Sequence, residues 1–298
     1  MLRTFKLGVK RVGYALGYDI QLHPIAKRRS QQLVCFVHIP KCGGMSIERG
    51  LRQQFALPGG LRINRSAAIQ ASICNLNSDI DGLDGVAKFS DYHCETIKTL
   101  LAYQLSQQNQ GLISGHVATS NSILAEFSER VQFVTVLRDP VARFKSNYIF
   151  NKLTNRLPVM SPNALCSDNV LEEAWQILNH RRGWQMANVP TMCITGRYPR
   201  DRRDAKYMQK EFISNLHHYK VVGFLDSLPS FGSKVEQMLG KKVAFERRNT
   251  TDSFTESANE SVKQALTAFF EQQDVVNKIE ELCEFESENY LLAKRKFS

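Results

Sequence analysis

The stretch Phe36-Val-His-Ile-Pro-Lys-Cys-Gly-Gly-Met-Ser46 decides how the rest of the chain is read. It closes an apolar run, Leu33 to Ile39, of the β-rich kind that is buried on both faces of a parallel sheet. Pro40 and the pair Gly43-Gly44 cannot continue that strand. From Met45 to Phe55 the apolar residues return at helical spacing. Strand, glycine-containing loop and helix start therefore follow one another directly. Such a loop presents backbone N–H groups at the positive end of a helix dipole. Gly43 and Gly44 carry no Cβ that would hold a ligand off, Lys41 adds a full charge, and Ser46 adds a hydroxyl donor. The expected guest is a phosphate-like anion. The Walker A order is absent, because the lysine precedes the glycines.

Outward from the loop, strands and helices alternate. Residues 57–90 hold Gly59-Gly60, several Asn and Asp and little periodicity, and read as a long excursion over the surface. A helix is expected from about Tyr92 to Gln107, then strands at Gly111–Ser114 and Val131–Leu137. Pro140 suits the first turn of the next helix. Further helices are expected at Leu171–His180, at Ala205–His217, and at Ser230–Leu239 before Gly240, with a strand at Lys220–Leu225 between the last two. Ser257–Leu292 reads as one long or two shorter amphipathic helices. This alternation predicts an α/β fold, a P-loop-like central parallel sheet flanked by helices, as one domain with helical and loop insertions. The expected division is a basic leader over 1–30 and the folded domain over 31–298.

Two further constellations stand at strand ends. Val134 to Tyr148, VTVLRDPVARFKSNY, puts Arg138 at the carboxyl edge of a strand, where open α/β sheets bind ligands. Ser146 follows eight residues later, just over two helical turns, and can face the same ligand. The plainer alternative pairs Arg138 with Asp139 and leaves Ser146 on a helix surface. Leu112 to Val117, LISGHV, ends a strand at Gly115-His116. A histidine there is as readily structural as catalytic.

Taken together these motifs resemble the PAPS-dependent sulfotransferases (PAPS is 3′-phosphoadenosine 5′-phosphosulfate), and most closely the glycan-modifying ones related to heparan sulfate 2-O-sulfotransferase. The loop resembles their 5′-phosphosulfate motif, commonly H-I-P-K-T-G-G-T-S, with Cys42 and Met45 standing where the family has threonines. The resemblance implies donor contacts from Lys41, Cys42, Gly43, Gly44, Met45 and Ser46, with Arg138 and Ser146 as 3′-phosphate ligands. It implies His116 of the G-H-V segment as base and Lys41 as stabiliser of the leaving group. Val221 to Phe231 is a weaker echo of the family. Arg247-Arg248-Asn249-Thr250 resembles its late basic stretch, which makes Arg248 a further donor contact. The activity implied is transfer of a sulfuryl group from PAPS to a carbohydrate hydroxyl, with no metal. Residues 57–90 and 151–215 match no family segment, and acceptor specificity is expected there.

Composition agrees without choosing among anions. The chain has 298 residues, 43% hydrophobic and 23% charged, which excludes a disordered or collagen-like chain. Its net charge of +10 suits nucleotides, acidic glycans, nucleic acid or anionic headgroups. Neither a nucleic-acid motif nor a basic patch interleaved with aromatics supports a nucleic-acid partner. The expected partners are the nucleotide donor and a glycan or glycolipid acceptor. The basic leader leaves peripheral membrane contact open. Seven scattered cysteines without a C-x-x-C pair read as reduced thiols and give no zinc spacing. With no apolar run near spanning length and no signal peptide visible, the expected compartment is the cytoplasm, and a bacterial source is open. Two rival readings are a P-loop kinase or NTPase and a non-catalytic nucleotide-binding protein. The absent Walker A order counts against the first. The joint presence of Lys41, His116, Arg138 and Ser146 counts against the second.

Overall fold

Leu33–Val37 forms β1, and all five of its residues are buried, as an apolar run without alternation requires of a central strand. In this computed structural model the described residues are 12, 15–17, 32–55, 60–76, 80–154, 167–245 and 257–298. Most of the leader, and Arg248 with its basic neighbours, lie outside them. The remaining strands are β2 (Gly60–Ile63), β3 (Gly111–Gly115), β4 (Val131–Leu137) and β5 (Tyr219–Phe224). They join in one sheet of order β2-β3-β1-β4-β5, and every pair is parallel. This is the α/β architecture the alternation predicts.

The order places the site. The chain leaves β1 toward β2 and β3 on one side, and leaves β4 toward β5 on the other. Loops after the neighbouring strands β1 and β4 therefore diverge, opening the crevice in which doubly wound sheets bind ligands. Register aligns the ends of the three inner strands, with Val37 paired to Gly115 in β3 and to Thr135 in β4.

The helices follow in chain order: α1 (Gly44–Arg52), α2 (Arg65–Asn75), α3 (Gly82–Gln107), α4 (Asn121–Phe127), α5 (Pro140–Leu153), α6 (Ser167–Leu178), α7 (Arg181–Ala187), α8 (Val189–Thr195), α9 (Arg202–Leu216), α10 (Leu228–Leu239), α11 (Ser257–Phe269) and α12 (Gln273–Phe297). Side chains close several of their first turns. Asp139 accepts from Ala142 N–H ahead of Pro140 on α5, Asn64 accepts from Ala67 N–H on α2, and Asp201 accepts from Asp204 N–H on α9. Gly240 ends α10 in the left-handed conformation, at φ 63°.

Two apolar clusters hold these layers. One surrounds the sheet, with Phe36, Phe133, Phe212 and Phe231 almost wholly buried. Cutting such a phenylalanine to alanine costs about 3–5 kcal/mol. The other lies among α5, α6, α7, α11 and α12, around Phe144, Tyr148, Leu266 and Phe270. The last helix joins them, because Val275, Ile279 and Cys283 belong to the helical cluster while Tyr290 and Ala293 belong to the sheet cluster.

The surface-excursion reading of residues 57–90 is corrected here. That stretch supplies β2, α2 and the first turns of α3. Four-residue β2 is too short to show a period, and Gly82 and Gly85 lower the helical propensity of the α3 start. Packing overrides propensity there: Val86 and Ala87 are buried, and Gln185 on α7 donates to Ala87 O at 2.9 Å. The amphipathic C-terminal segment resolves into two helices.

Candidate functional site

Three chain segments meet at the carboxyl edge of the sheet: His38 to Gly43 after β1, Gly115-His116 at the end of β3, and Arg138 after β4. The first is the glycine-containing loop. Gly43 caps α1 with φ 75°, and the space of a Cβ there is filled by Leu225 Cδ1, 2.7 Å away. A Cβ on Gly44 would lie 1.9 Å from the His38 ring. Gly43 is thus favoured by its left-handed φ, and Gly44 by the His38 ring packed against it. The first backbone bond along α1 runs from Ile47 N–H to Gly43 O. The N–H groups of Gly44, Met45 and Ser46 precede it at the positive end of a helix whose first turn holds no acid.

Lys41 is the one described non-glycine residue at positive φ, 67°. That conformation costs an L-residue about 1–2 kcal/mol, so contacts must hold it. Arg138 Nη1 donates to Lys41 O at 3.0 Å, and Lys41 Nζ sits 4.1 Å from the centroid of the Phe150 ring on α5. Burial, and then the charge of Arg138, lower the pKa of Lys41. Asp139 does not pair with Arg138; its carboxylate is the cap of α5. Two cations thus lie side by side at the loop, and an anion between them would relieve both.

The other expected loop residues separate. Met45 is exposed, and Ser46 is half-buried near the helix start. Cys42 turns inward: it is 1% exposed, packs in the sheet cluster, and its N–H bonds to Ile39 O at 3.3 Å. Burial pushes its thiol up to about 12. The thiol therefore points into the core, and any donor contact from Cys42 would have to come from its backbone. Ser146 lies half-buried on α5, the helix that follows Arg138.

His116 is half-buried, and its Nδ1 lies 2.8 Å from His38 O. A carbonyl oxygen only accepts, so Nδ1 carries the proton and Nε2 of the neutral ring keeps its lone pair. The ring also lies against His38, with centroids 4.3 Å apart at 34°. Burial first, and then the nearby His38, Arg65 and Arg62, hold its pKa down to about 3. His38 is lowered to about 4 by burial and by Arg62. Both imidazoles are neutral at pH 7.

Beneath the histidines lies a polar group that sequence reasoning missed. Glu48, on the second turn of α1, is 5% exposed. Its Oε1 accepts from Arg52 Nε at 3.0 Å, from Arg52 Nη2 at 2.8 Å and from Ser114 Oγ at 3.0 Å, with Arg62 Nε at 3.5 Å. Its Oε2 is 3.9 Å from His38 Nδ1, a buried nitrogen without a hydrogen-bond partner. Ser114 lies two residues before His116 on β3, and β2 places Arg62 directly beside it. A signal for Glu48 exists: it is an acid on the apolar face of α1 with Arg52 one turn on. Nothing in the sequence brings Arg62 to it, because that contact comes from strand pairing. Among the described residues no three His, Cys, Asp or Glu side chains gather as for a metal ion.

No protein-family model matches the chain. No curated protein matches it in sequence either. Among solved structures it is similar to a sulfotransferase from Alicyclobacillus acidocaldarius, 17% identical over 87% of this chain and 97% of the other, with a TM-score of 0.35.

Proposed function

We propose that the protein is a sulfotransferase that moves a sulfuryl group from PAPS to a hydroxyl of a carbohydrate acceptor. One observation carries the reading. The Arg138 Nη1 bond to Lys41 O joins two segments 97 residues apart, the two that resemble the 3′-phosphate and 5′-phosphosulfate motifs. The local chemistry fits a doubly anionic nucleotide: N–H donors at the start of α1, two adjacent cations at Lys41 and Arg138, and no acid in the helix's first turn.

When bound, PAPS would supply the activated sulfuryl group. Lys41 and the N–H groups of Gly44, Met45 and Ser46 hold its 5′ end and stabilise charge on the leaving oxygen. Arg138 and Ser146 take the 3′-phosphate, and Arg248 adds a further contact. The lone pair on His116 Nε2 takes the acceptor proton, while Nδ1–H stays on His38 O and fixes the ring. The acceptor oxygen forms a bond to sulfur as the bridging S–O bond breaks and adenosine 3′,5′-bisphosphate leaves. Anionic donor groups beside Lys41 and Arg138 would raise the basicity of His116 from its low resting value. No step calls on a metal.

Among the described residues no helix is long and apolar enough to cross a membrane. The described cysteines are all unpaired, five of them buried, which suits the reducing cytoplasm proposed as the compartment. The test is incubation with sulfur-labelled PAPS and a panel of polysaccharides and glycolipids. Label is expected in a sulfate ester on an acceptor, and lost with Lys41→Ala. Phosphorylation of the acceptor from labelled ATP, without sulfation, would overturn the reading.

A further inference from the structure

His38 stands at the centre of the site, and the proposed reaction uses only its carbonyl oxygen. The residue is 5% exposed, and its ring lies 5.5 Å from that of Phe36 and 4.3 Å from that of His116. Its two nitrogens face different neighbours. Nε2 and Cδ2 lie against Gly44, since a Cβ there would be 1.9 Å from both. Gly44 is the first residue of α1, where the N–H groups of the anion site begin. Nδ1 is buried without a hydrogen-bond partner and faces Glu48 Oε2 across 3.9 Å. A neutral imidazole carries one N–H and can serve only one of these edges. An imidazolium serves both.

We infer that His38 is a donor-binding residue that takes up a proton from solvent as the nucleotide binds. This rests on the donor-site reading above. Once loaded, Nε2–H donates to an anionic oxygen at the start of α1, and Nδ1–H donates to Glu48. The groups that face the ring are divided. Glu48 on α1 favours the imidazolium. Arg52, bonded to that carboxylate, Arg62 on β2, 3.5 Å from it, and His116 after β3 oppose it. Burial first, and then Arg62, lower His38 to about 4, so the ring is neutral at pH 7 until an anion arrives. The negative charge of the nucleotide reverses that balance. His116 is the poorer recipient. Its Nδ1 is bonded to a carbonyl rather than a carboxylate, and His38, Arg65 and Arg62 all oppose its charge. Rings this close do not both ionise. A proton on His38 therefore keeps the lone pair of His116 Nε2 free, and loading the donor prepares the base.

The experiment titrates the whole protein with adenosine 3′,5′-bisphosphate in buffers of different ionisation enthalpy, which counts the protons exchanged on binding. At about pH 7 the protein is expected to take up at least about 0.5 proton more than His38→Gln, a difference that cancels the ligand's own ionisation. Its affinity advantage over His38→Gln should shrink by up to about 10-fold per pH unit as pH rises, because a group whose pKa is raised on binding favours the complex at low pH. Glu48→Gln should lose most of the uptake, and His116→Ala should keep it. The nitrogen-15 resonances of His38, assigned through its own backbone, should move to imidazolium positions in the complex, a readout that stands even where His38→Gln fails to fold. Binding without proton uptake would overturn the inference, as would uptake abolished by His116→Ala and kept by His38→Gln. Failure of the bisphosphate to bind at all would instead remove the donor-site reading, and the inference with it.

Discussion

His116 Nδ1–H bonds to the carbonyl oxygen of His38 at 2.8 Å, and the two rings lie 4.3 Å apart, so the end of β1 fixes which nitrogen of the β3 histidine is basic. A residue 78 positions away in sequence thereby sets the tautomer of the proposed base.

Replacing His116 with alanine should lower turnover about 10²- to 10⁴-fold. Affinity for adenosine 3′,5′-bisphosphate should be retained, because the role proposed for His116 is toward the acceptor proton and not the donor. Steady-state kinetics beside calorimetry separate the two. A loss of nucleotide affinity would make His116 a binding residue.

Glu48→Ala should destabilise the fold by about 2–4 kcal/mol, since it strips the buried acceptor from Arg52 and Ser114 and the counter-charge from Arg62. Glu48→Gln keeps an oxygen acceptor and should lose less. Urea denaturation of the three proteins measures this. Equal stability of all three would mean that the Glu48 cluster contributes nothing net.

Gly44→Ala places a Cβ 1.9 Å from the His38 ring and should cost about 1–3 kcal/mol, together with nucleotide affinity, because the ring and the loop must part. Gly232→Ala on α10 meets no atom closer than 3.7 Å and should be neutral or stabilising by up to about 1 kcal/mol. Thermal melts of the pair decide it. A tolerated Gly44→Ala would show that His38 can move without cost.

Acid should destabilise the protein well above the carboxylate range. His38 is lowered to about 4, as is His93 on α3, whose Nδ1 lies 2.7 Å from Ser72 Oγ, and His116 to about 3, against 6.5 for an ordinary imidazole. Below 6.5 the unfolded chain binds protons that the folded chain refuses, so stability falls as pH drops toward 4, by up to about 1.4 kcal/mol per pH unit for each histidine. Buried Glu286, raised to about 7, works in the opposite sense: it contributes below 4.5 and loses that contribution as pH rises through 7. Three histidines against one carboxyl leave a net loss on acidification. Melting temperatures from pH 7 to 4.5 should fall, and His93→Gln should flatten the slope. A flat profile in the original protein would contradict the burial of these rings.

The sequence makes the inner strands legible because β1, β3 and β4 are apolar runs ended by unmistakable breakers, Pro40, Gly115 and Pro140. Edge strand β2 leaves no such trace. Arg62 accordingly goes unread as a neighbour of the site, although the β2–β3 register puts it beside Ser114. Lys41, Arg138 and His116 stand out because charged or titratable residues at strand ends are visible in one dimension. The contacts that tune them, Phe150 under Lys41 and His38 behind His116, are products of packing and invisible without the fold. Cys42 shows the converse: its place in the motif suggests a ligand contact, and the turn points it into the core.

The donor site is tested most directly by calorimetric titration of the whole protein with adenosine 3′,5′-bisphosphate, run beside ATP with magnesium. Tight binding of the bisphosphate that needs no magnesium and disappears in Arg138→Ala is the expected result. Binding of ATP with magnesium alone would contradict it and identify the loop as a kinase-like phosphate site.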